Sequence, residues 1–170
     1  MDPVREAVAA PPPELDELIQ RLRALEDERG VLATLHRYGH ALDYGAEADW
    51  VDCFAPDALY EVREPGHETA HRVRAYHGRD ALAAFAARHT RAPERFHKHV
   101  VLDPIIAVDG DRATAVSYFL RLDDVGGERV VYAFGRYHDE LVRAEDGQWR
   151  FAVRVAEIES RRARPAPRRD

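Results

Sequence analysis

Residues 96–159 read FHKHVVLDPIIAVDGDRATAVSYFLRLDDVGGERVVYAFGRYHDELVRAEDGQWRFAVRVAEIE. Apolar and polar side chains alternate through most of this stretch, which is rich in Val, Ile, Tyr and Phe, and a period of two is typical of β-strands. Three breaks consist of residues that tolerate the positive φ of tight turns: Asp109-Gly110-Asp111, Gly126-Gly127 and Asp146-Gly147. The stretch therefore predicts strands at 96–108, 112–123, 128–142 and 148–159, joined by hairpins into an antiparallel meander.

The sequence before the meander has a helical period. Apolar residues recur at helical spacing at 15, 18, 19, 22 and 25, and again at 31, 35, 38 and 42 after Asp27, a residue type that favours the N-cap position. We predict two helices here, a short helix at 47–54, strands near 58–63 and 72–77 around a polar Pro65-Gly66 loop, and a helix at 80–89. The expected fold is α+β: a cone-shaped barrel whose curved, mixed but mostly antiparallel sheet wraps around the N-terminal helices and holds one small-molecule pocket.

The length and the two chain ends indicate one domain. The chain has 170 residues, of which 45% are hydrophobic, enough for one core and too few for two. Residues 1–13 end in three prolines and residues 161–170 alternate arginine with proline, so neither segment can bury enough apolar surface to offset its ordering entropy. We predict disordered tails at 1–13 and 161–170 and a folded domain at 14–160.

The charges and the cysteine content exclude several classes of protein. The net charge is −6, and acidic and basic residues are interspersed, which argues against a surface for nucleic acid or an anionic membrane. Cys53 is the single cysteine, so an internal disulfide is impossible. Neither a signal peptide, a membrane-spanning apolar run, a phosphate loop nor a dinucleotide motif is present in the sequence. We expect a cytoplasmic protein without a cofactor.

Several short motifs occur in an order that resembles a known family. They are Leu25-Glu26-Asp27, Tyr38 five residues before Asp43, Phe54-Ala55-Pro56-Asp57-Ala58, Gly78-Arg79-Asp80, His99 ten residues before Asp109-Gly110-Asp111, Gly135-Arg136-Tyr137 and Gly147-Gln148-Trp149. Together they resemble the SnoaL-like branch of the nuclear-transport-factor-2-like superfamily, over residues 15–158. That superfamily also includes scytalone dehydratase, bile-acid dehydratase, polyketide cyclases and ketosteroid isomerase. The resemblance implies the cone fold and a homodimer or homotrimer, while the activity stays open because this fold hosts many chemistries.

Asp43 and His99 are the predicted catalytic pair. A carboxylate at a helix end beside an imidazole from a facing strand can fix the ring tautomer and make the ring a general base. The resemblance to the dehydratases implies that His99 removes a proton next to an electron-withdrawing group, that Asp43 orients His99, and that Tyr38 donates a hydrogen bond to a substrate oxygen. The alternatives are a structural interior histidine, an aspartate that caps the helix, and a tyrosine that only continues the apolar stripe.

Other polar residues near this pair have open roles. Strand alternation places His97 and Asp103 on the face of His99. His97 and His99 could form half of a metal site, as could His36 and His40 with Asp43, but such helical faces are usually solvated and the resembling enzymes are metal-free, so we expect no metal. The resemblance implies a third polar catalytic group at Asp123 or Asp124. We interpret Asp111, Asp139 and Asp146 as turn or edge residues, and Arg154 as a partner in a structural ion pair.

The pocket walls should be aromatic, which suits a cyclic substrate. The predicted substrate-binding residues are Tyr60, Tyr118, Tyr132, Phe134, Trp50 and His97. We therefore predict a cofactor-independent acid-base enzyme, a dehydratase, isomerase or cyclase, acting on a polyketide-, steroid- or terpenoid-like molecule. The alternative is a non-catalytic small-molecule-binding or assembly protein on the same fold, in which Asp43 and His99 are structural.

Overall fold

The computed structural model describes residues 13–64, 72–125 and 127–162. The predicted tails therefore fall almost wholly outside the described residues, as do the Pro65-Gly66 loop and Gly126. The helices and strands are, in chain order, α1 (Pro13–Tyr44), α2 (Glu47–Asp52), β1 (Phe54–Glu64), β2 (Arg72–His77), α3 (Gly78–Ala86), β3 (His97–Asp109), β4 (Arg112–Val125), β5 (Glu128–Arg143) and β6 (Trp149–Arg161).

The N-terminal helix α1 is continuous, so the prediction of two helices is wrong. Asp27 does not begin a new helix, because its carboxylate pairs with the Arg143 guanidinium at 2.5 Å, and the helical hydrogen bonding runs through this point without a break. The first apolar stripe of α1 is exposed and the second is buried in the core. Residues 31–42 are therefore the part of α1 that packs inside the cone.

The six strands form one mixed sheet, as predicted. Their order is β2-β1-β6-β5-β4-β3, in which only the β1–β6 pair is parallel. The meander of β3 to β6 is confirmed, and its tight turns use positive φ at Gly110, Gly127 and Gly147. Gly135 fills a special position in β5, because a Cβ there would lie 2.0 Å from the Glu157 carbonyl oxygen of β6. Only glycine lets these two strands approach so closely.

The core lies between the helices and the concave face of the sheet. Its aromatic members are Tyr38, Trp50, Phe54, Tyr60, Phe119, Tyr137, Trp149 and Phe151. Arg154 lies fully buried among them, with its guanidinium carbon 3.7 Å from the centre of the Tyr137 ring and 4.0 Å from that of Tyr38. Its charge partner is Asp139, at 3.6 Å. The expected ion pair of Arg154 is thus present.

Asp139 is not the edge residue that the sequence suggested. It faces inward from the middle of β5, since alternate positions of that strand point to the core, and it is buried. Burial raises the pKa of its carboxyl to about 7, although the Arg154 guanidinium opposes that rise. The core therefore contains a carboxyl group that titrates near neutral pH.

Candidate active site

A cavity of about 550 Å³ opens between the concave face of the sheet and the helices. Aromatic rings from β1, α3, β4 and β5 form much of its wall, and two histidines and several arginines also face it. The rings are Tyr60, Phe85, Phe119, Tyr132 and Tyr137, with Tyr38 behind them on α1. A cavity of this volume with aromatic rings in its wall suits a small cyclic molecule.

Asp43 and His99 are in contact at the wall of this cavity. His99 Nδ1 lies 2.6 Å from Asp43 Oδ1, and the backbone N–H of His99 donates to Asp43 Oδ2 at 2.9 Å. One helical turn earlier, a Cβ on Gly39 would lie 2.7 Å from the His99 carbonyl oxygen, so glycine permits α1 to approach β3 here. Asp43 is 2% exposed, whereas the ring of His99 lines the cavity.

These contacts determine which nitrogen of His99 carries the proton. Burial by itself raises the pKa of Asp43, but the hydrogen bonds and the charge interaction with His99 outweigh burial and hold that pKa below its ordinary value. An ionised carboxylate only accepts hydrogen bonds, so Nδ1 of His99 must be the protonated nitrogen. In the neutral form of the ring the lone pair of Nε2 is therefore free, which is the tautomer of a general base.

His97 lies behind this pair rather than in the cavity. Its side chain is fully buried and it is not among the residues that line the cavity, so the structure does not bring it to the place where substrate contact was predicted. Nε2 is 3.3 Å from Asp43 Oδ1, but the ring is not oriented for a hydrogen bond, and neither nitrogen has a hydrogen-bond partner among the residues that the structure describes. Burial, with the nearby His99 and Arg121, lowers the pKa of His97 to about 4. His97 is therefore an uncharged ring that packs against Asp43.

Asp43, His97 and His99 form the group among the described residues whose geometry could suit a metal ion; we call it the acid-histidine cluster. Its candidate ligand atoms lie within 4.8 Å of one another. His36 and His40 are not part of it, because they point to solvent while Asp43 turns inward. Both carboxylate oxygens already accept hydrogen bonds from His99, and a metal would have to displace them. The donor set therefore favours an ion-paired dyad over a metal centre.

His89 is a site residue that sequence reasoning missed. It follows α3, lines the cavity, and its ring centre is 5.6 Å from that of His99. Nδ1 lies 2.8 Å from the Thr90 carbonyl oxygen, which only accepts, so Nδ1 carries the hydrogen. Burial first, and the charge of His99 second, lower the pKa of His89 to about 3. The cavity thus has a second, neutral imidazole that can accept a hydrogen bond.

Tyr38 and Tyr60 form a linked pair of hydroxyls. Tyr38 donates to the Tyr60 hydroxyl at 3.1 Å, and both residues line the cavity. Burial raises the pKa of both phenols above their ordinary value, in spite of the charge of Arg154 near their rings. Since Tyr60 accepts from Tyr38, its own hydrogen is free to donate. Tyr60 is therefore the better placed of the two to contact a substrate oxygen.

Three predicted substrate-binding aromatics lie outside the cavity. Tyr118 is on the outer face, because the alternation of β4 turns Phe119 inward instead. Phe134 also faces outward: a bulge at Tyr132 places both Tyr132 and Ala133 at the cavity and shifts the residues that follow. Trp50 is fully buried against Phe85 and belongs to the core. Of the predicted set, Tyr60 and Tyr132 line the cavity.

The aspartates of uncertain role are not at the cavity wall. Asp123 is fully buried and accepts two hydrogen bonds of 3.1 Å from Arg95. Asp124 accepts the Gly127 N–H at 2.8 Å and belongs to the turn. Asp103 is exposed, with a φ of 47° at a break in the pairing of β3 with β4. Each of the three is accounted for by local structure.

Within residues 13–64, 72–125 and 127–162, no helix combines the length and the apolar character needed to cross a membrane.

Solved structures of similar fold cover most of the chain. A nuclear-transport-factor-2-like protein with a cystatin-like fold from Novosphingobium aromaticivorans is 24% identical over 85% of this chain and 90% of its own, with a TM-score of 0.72. A Catenulispora acidiphila protein in complex with S-DNPA is 24% identical over 79% and 95%, with a TM-score of 0.64. ActVI-ORFA from Streptomyces coelicolor is 24% identical over 78% and 96%, with a TM-score of 0.59. These likenesses confirm the fold.

The family comparison covers the same part of the chain. None of the curated proteins compared with the chain matches it. The family model of the SnoaL-like domain matches residues 23–155, from the middle of α1 into β6. This span contains Tyr38, Asp43, His89 and His99 together with nearly the whole sheet. The chain therefore belongs to the SnoaL-like domain family.

Proposed function

We propose that this protein is a cofactor-independent acid-base enzyme, a dehydratase, isomerase or cyclase, whose substrate is a cyclic small molecule. The observation that carries the proposal is the pair of short contacts, 2.6 and 2.9 Å, that hold His99 to the buried Asp43 while His99 faces the cavity. The ligand complex of the similar Catenulispora acidiphila protein supports a small-molecule role for this cavity.

The proton transfer starts at His99. Its Nε2 takes a proton from a carbon next to a ketone, and the electron pair left on that carbon becomes the enolate. Asp43 stabilises the imidazolium that forms, because a carboxylate 2.6 Å from Nδ1 is a charge-assisted partner. The protonated ring then returns its proton to a hydroxyl that leaves as water, or to another carbon of the substrate in an isomerisation.

The negative charge of the enolate needs a donor. Tyr60 can supply one from its free O–H, and the hydrogen bond from Tyr38 strengthens that donor by polarising the hydroxyl it binds. His89 is neutral and its Nε2 carries no hydrogen, so Nε2 can accept a hydrogen bond from a substrate hydroxyl and orient that hydroxyl. In this proposal Tyr60 contacts the substrate and Tyr38 positions Tyr60.

The predicted homo-oligomer belongs to the same proposal. Large apolar side chains are exposed on the outer face of β3, β4 and β5, among them Ile105 at 77%, Tyr118 at 57% and Phe134 at 44%. A patch of this kind on a soluble domain supports a protein interface. We propose a second copy of the chain as its partner.

Hydrogen exchange at carbon tests the proton transfer before a physiological substrate is known. Bicyclic β-hydroxy ketones are incubated with the protein in deuterated buffer, and deuterium uptake next to the ketone is followed by NMR. The wild type should accelerate uptake for at least one compound, and His99→Gln should lower that rate by about a hundredfold or more. His36→Gln, at an exposed position of α1, is the matched control. Equal rates for wild type and His99→Gln on every exchanging compound would contradict the proposal.

A further inference from the structure

The cavity is lined by far more positive than negative side chains. Five arginines and one carboxylate face it: Arg74, Arg88, Arg121, Arg161, Arg162 and Glu64. The whole chain carries a net charge of −6, so this excess of positive charge is local to the cavity. Repulsion among like charges costs stability unless a counter-charge is bound, and a positively lined cleft concentrates anions.

The carboxylates nearby do not neutralise these arginines. Glu64 is shared by Arg74, at 2.5 Å, and Arg161, at 2.9 Å. The buried Asp123 is likewise shared by Arg95 and Arg121, at 3.1 and 3.2 Å. Glu64 with its two arginines therefore has a net charge of +1, and so does Asp123 with its two arginines.

Arg88 adds a further positive charge at the cavity. It follows α3 directly before His89 and is exposed. Among the described residues it has no carboxylate within ion-pair distance. With Arg162 paired to Glu128 at 3.6 Å, the arginines around the cavity hold about three positive charges more than their carboxylate partners, before Asp43 and the histidines are counted.

Two of these arginines lie in line with the proposed base. The pairing of the strands aligns His99 of β3 with Arg121 of β4, Arg121 with Ala133 of β5, and Ala133 with Arg161 of β6. All four line the cavity. Neighbouring strands are about 4.8 Å apart, so Arg121 and Arg161 flank the small Ala133 at roughly 10 Å from each other. The space above Ala133 is therefore one strand wide and has an arginine on each side.

Arg121 also has an unused donor. Its Nε is buried and has no acceptor in the described part of the chain, while Nη2 donates to Asp123 at 3.2 Å. A buried donor without a partner is unfavourable, so a ligand that accepts from it gains affinity. This Nε donor is left for a further acceptor, and the oxygens of a carboxylate are strong acceptors for a guanidinium.

We propose that the substrate carries a carboxylate, which binds over Ala133 between Arg121 and Arg161 while the ring system of the substrate extends to His99. This inference rests on the proposed function and names the substrate class of the same site. Ala133 is two strands from His99, so the carboxylate lies about 10 Å or less from the carbon that loses its proton. That span corresponds to an acid whose charged group sits on or next to a bicyclic ring.

Binding of β-naphthoate and of its uncharged isostere β-naphthamide tests the inference, with titration calorimetry on the full chain at low salt. The wild type should bind the acid about tenfold or more tightly than the amide. Arg121→Met and Arg161→Met should each weaken binding of the acid by about tenfold and leave binding of the amide nearly unchanged. Both variants should fold, because Asp123 keeps Arg95 and Glu64 keeps Arg74.

The matched control is Arg112→Met, at an arginine 71% exposed and outside the cavity, which should leave both affinities unchanged. Equal affinity of the wild type for the two probes would overturn the inference, as would a preference for the acid that survives in both cavity variants. The outcome is separable from that of the proposed function. If deuterium uptake by a neutral ketone depends on His99 but the probes bind equally, only the carboxylate inference fails; if the acid is preferred but no ketone exchanges, the proposed chemistry fails.

Discussion

Replacing Asp43 with asparagine should reverse the tautomer of His99. The backbone N–H of His99 donates to Asp43 Oδ2, and in the variant only the amide oxygen can accept that bond. The amide nitrogen must then face His99 Nδ1 and donate to it, so Nδ1 can no longer carry a hydrogen. The proton moves to Nε2, the nitrogen that faces the cavity, and the base is lost although the side chains keep their shape.

The two contacts also set the expected magnitudes. One charge-assisted hydrogen bond at a buried carboxylate becomes a neutral one, which lowers the free energy of unfolding by about 1–2 kcal/mol and Tm by about 2–8 °C. A base held in the wrong tautomer should lower turnover by about 10³- to 10⁴-fold.

Because the pKa of Asp43 is lowered in the folded protein, the stabilisation that its carboxylate provides is present above the ordinary pKa of 3.8 and is lost as the pH falls through the lower value. The Tm difference between wild type and Asp43→Asn should therefore shrink in acid.

Long-range ¹H–¹⁵N NMR of the imidazole rings measures this directly and needs no substrate. The His99 signals are identified by their loss in His99→Gln, and they should show an Nδ1–H ring in the wild type and an Nε2–H ring in Asp43→Asn. Asp124→Asn, at an exposed turn, is the control and should leave the His99 pattern unchanged. An Nδ1–H ring that persists in Asp43→Asn would refute the reasoning.

Three further predictions concern strand packing, metal content and the buried Asp139. Gly135→Ala should lower the free energy of unfolding by about 3 kcal/mol or more, because its Cβ would meet the Glu157 carbonyl oxygen; an unchanged Tm would contradict this close approach. The purified protein should contain no stoichiometric transition metal, and chelation should not change its Tm; one equivalent per chain, lost with stability, would mean that the acid-histidine cluster binds metal. Burial raises the pKa of Asp139 from 3.8 to about 7, so wild-type stability relative to Asp139→Asn should fall as the pH rises from about 4 to 7, measured as Tm; a constant difference would contradict the raised pKa.

The strands of the meander could be predicted because their signals are local. Alternation and turn residues placed the four strands within about two residues of their observed ends. The break in the first helix was predicted wrongly for the same reason. Aspartate is a residue type that is common at N-cap positions, but the carboxylate of Asp27 binds Arg143, which is far away in the sequence. Local sequence patterns do not indicate such a long-range contact.

The faces of the strands were harder to predict than their ends. One unpaired residue reverses the direction of every side chain that follows it, and the bulge at Tyr132 turned Phe134 away from the cavity. A bulge depends on the pairing of two strands and leaves little trace in one of them. The same limit explains the exposed Asp103, which follows a regular alternation until the pairing of β3 shifts.

The only part of the site that could be predicted lies at the end of a helix and the start of a strand. Asp43 and His99 were paired by resemblance and by position, and they do lie in contact. His89 was the last residue of the helix predicted at 80–89, whereas the structure ends α3 at Ala86, so His89 lies in the segment that follows, where no period indicates a direction. The alignment of Arg121 and Arg161 with His99 requires the register of four strands, which no single segment encodes.

The central claim is that His99 transfers a proton during turnover, and His99→Gln on a compound that the wild type converts is its most direct test. Glutamine keeps much of the size and hydrogen bonding of the ring but cannot titrate. The account predicts that kcat falls by about a hundredfold or more while Kd for the same compound and Tm change little. Full turnover by His99→Gln, with substrate binding intact, would contradict it.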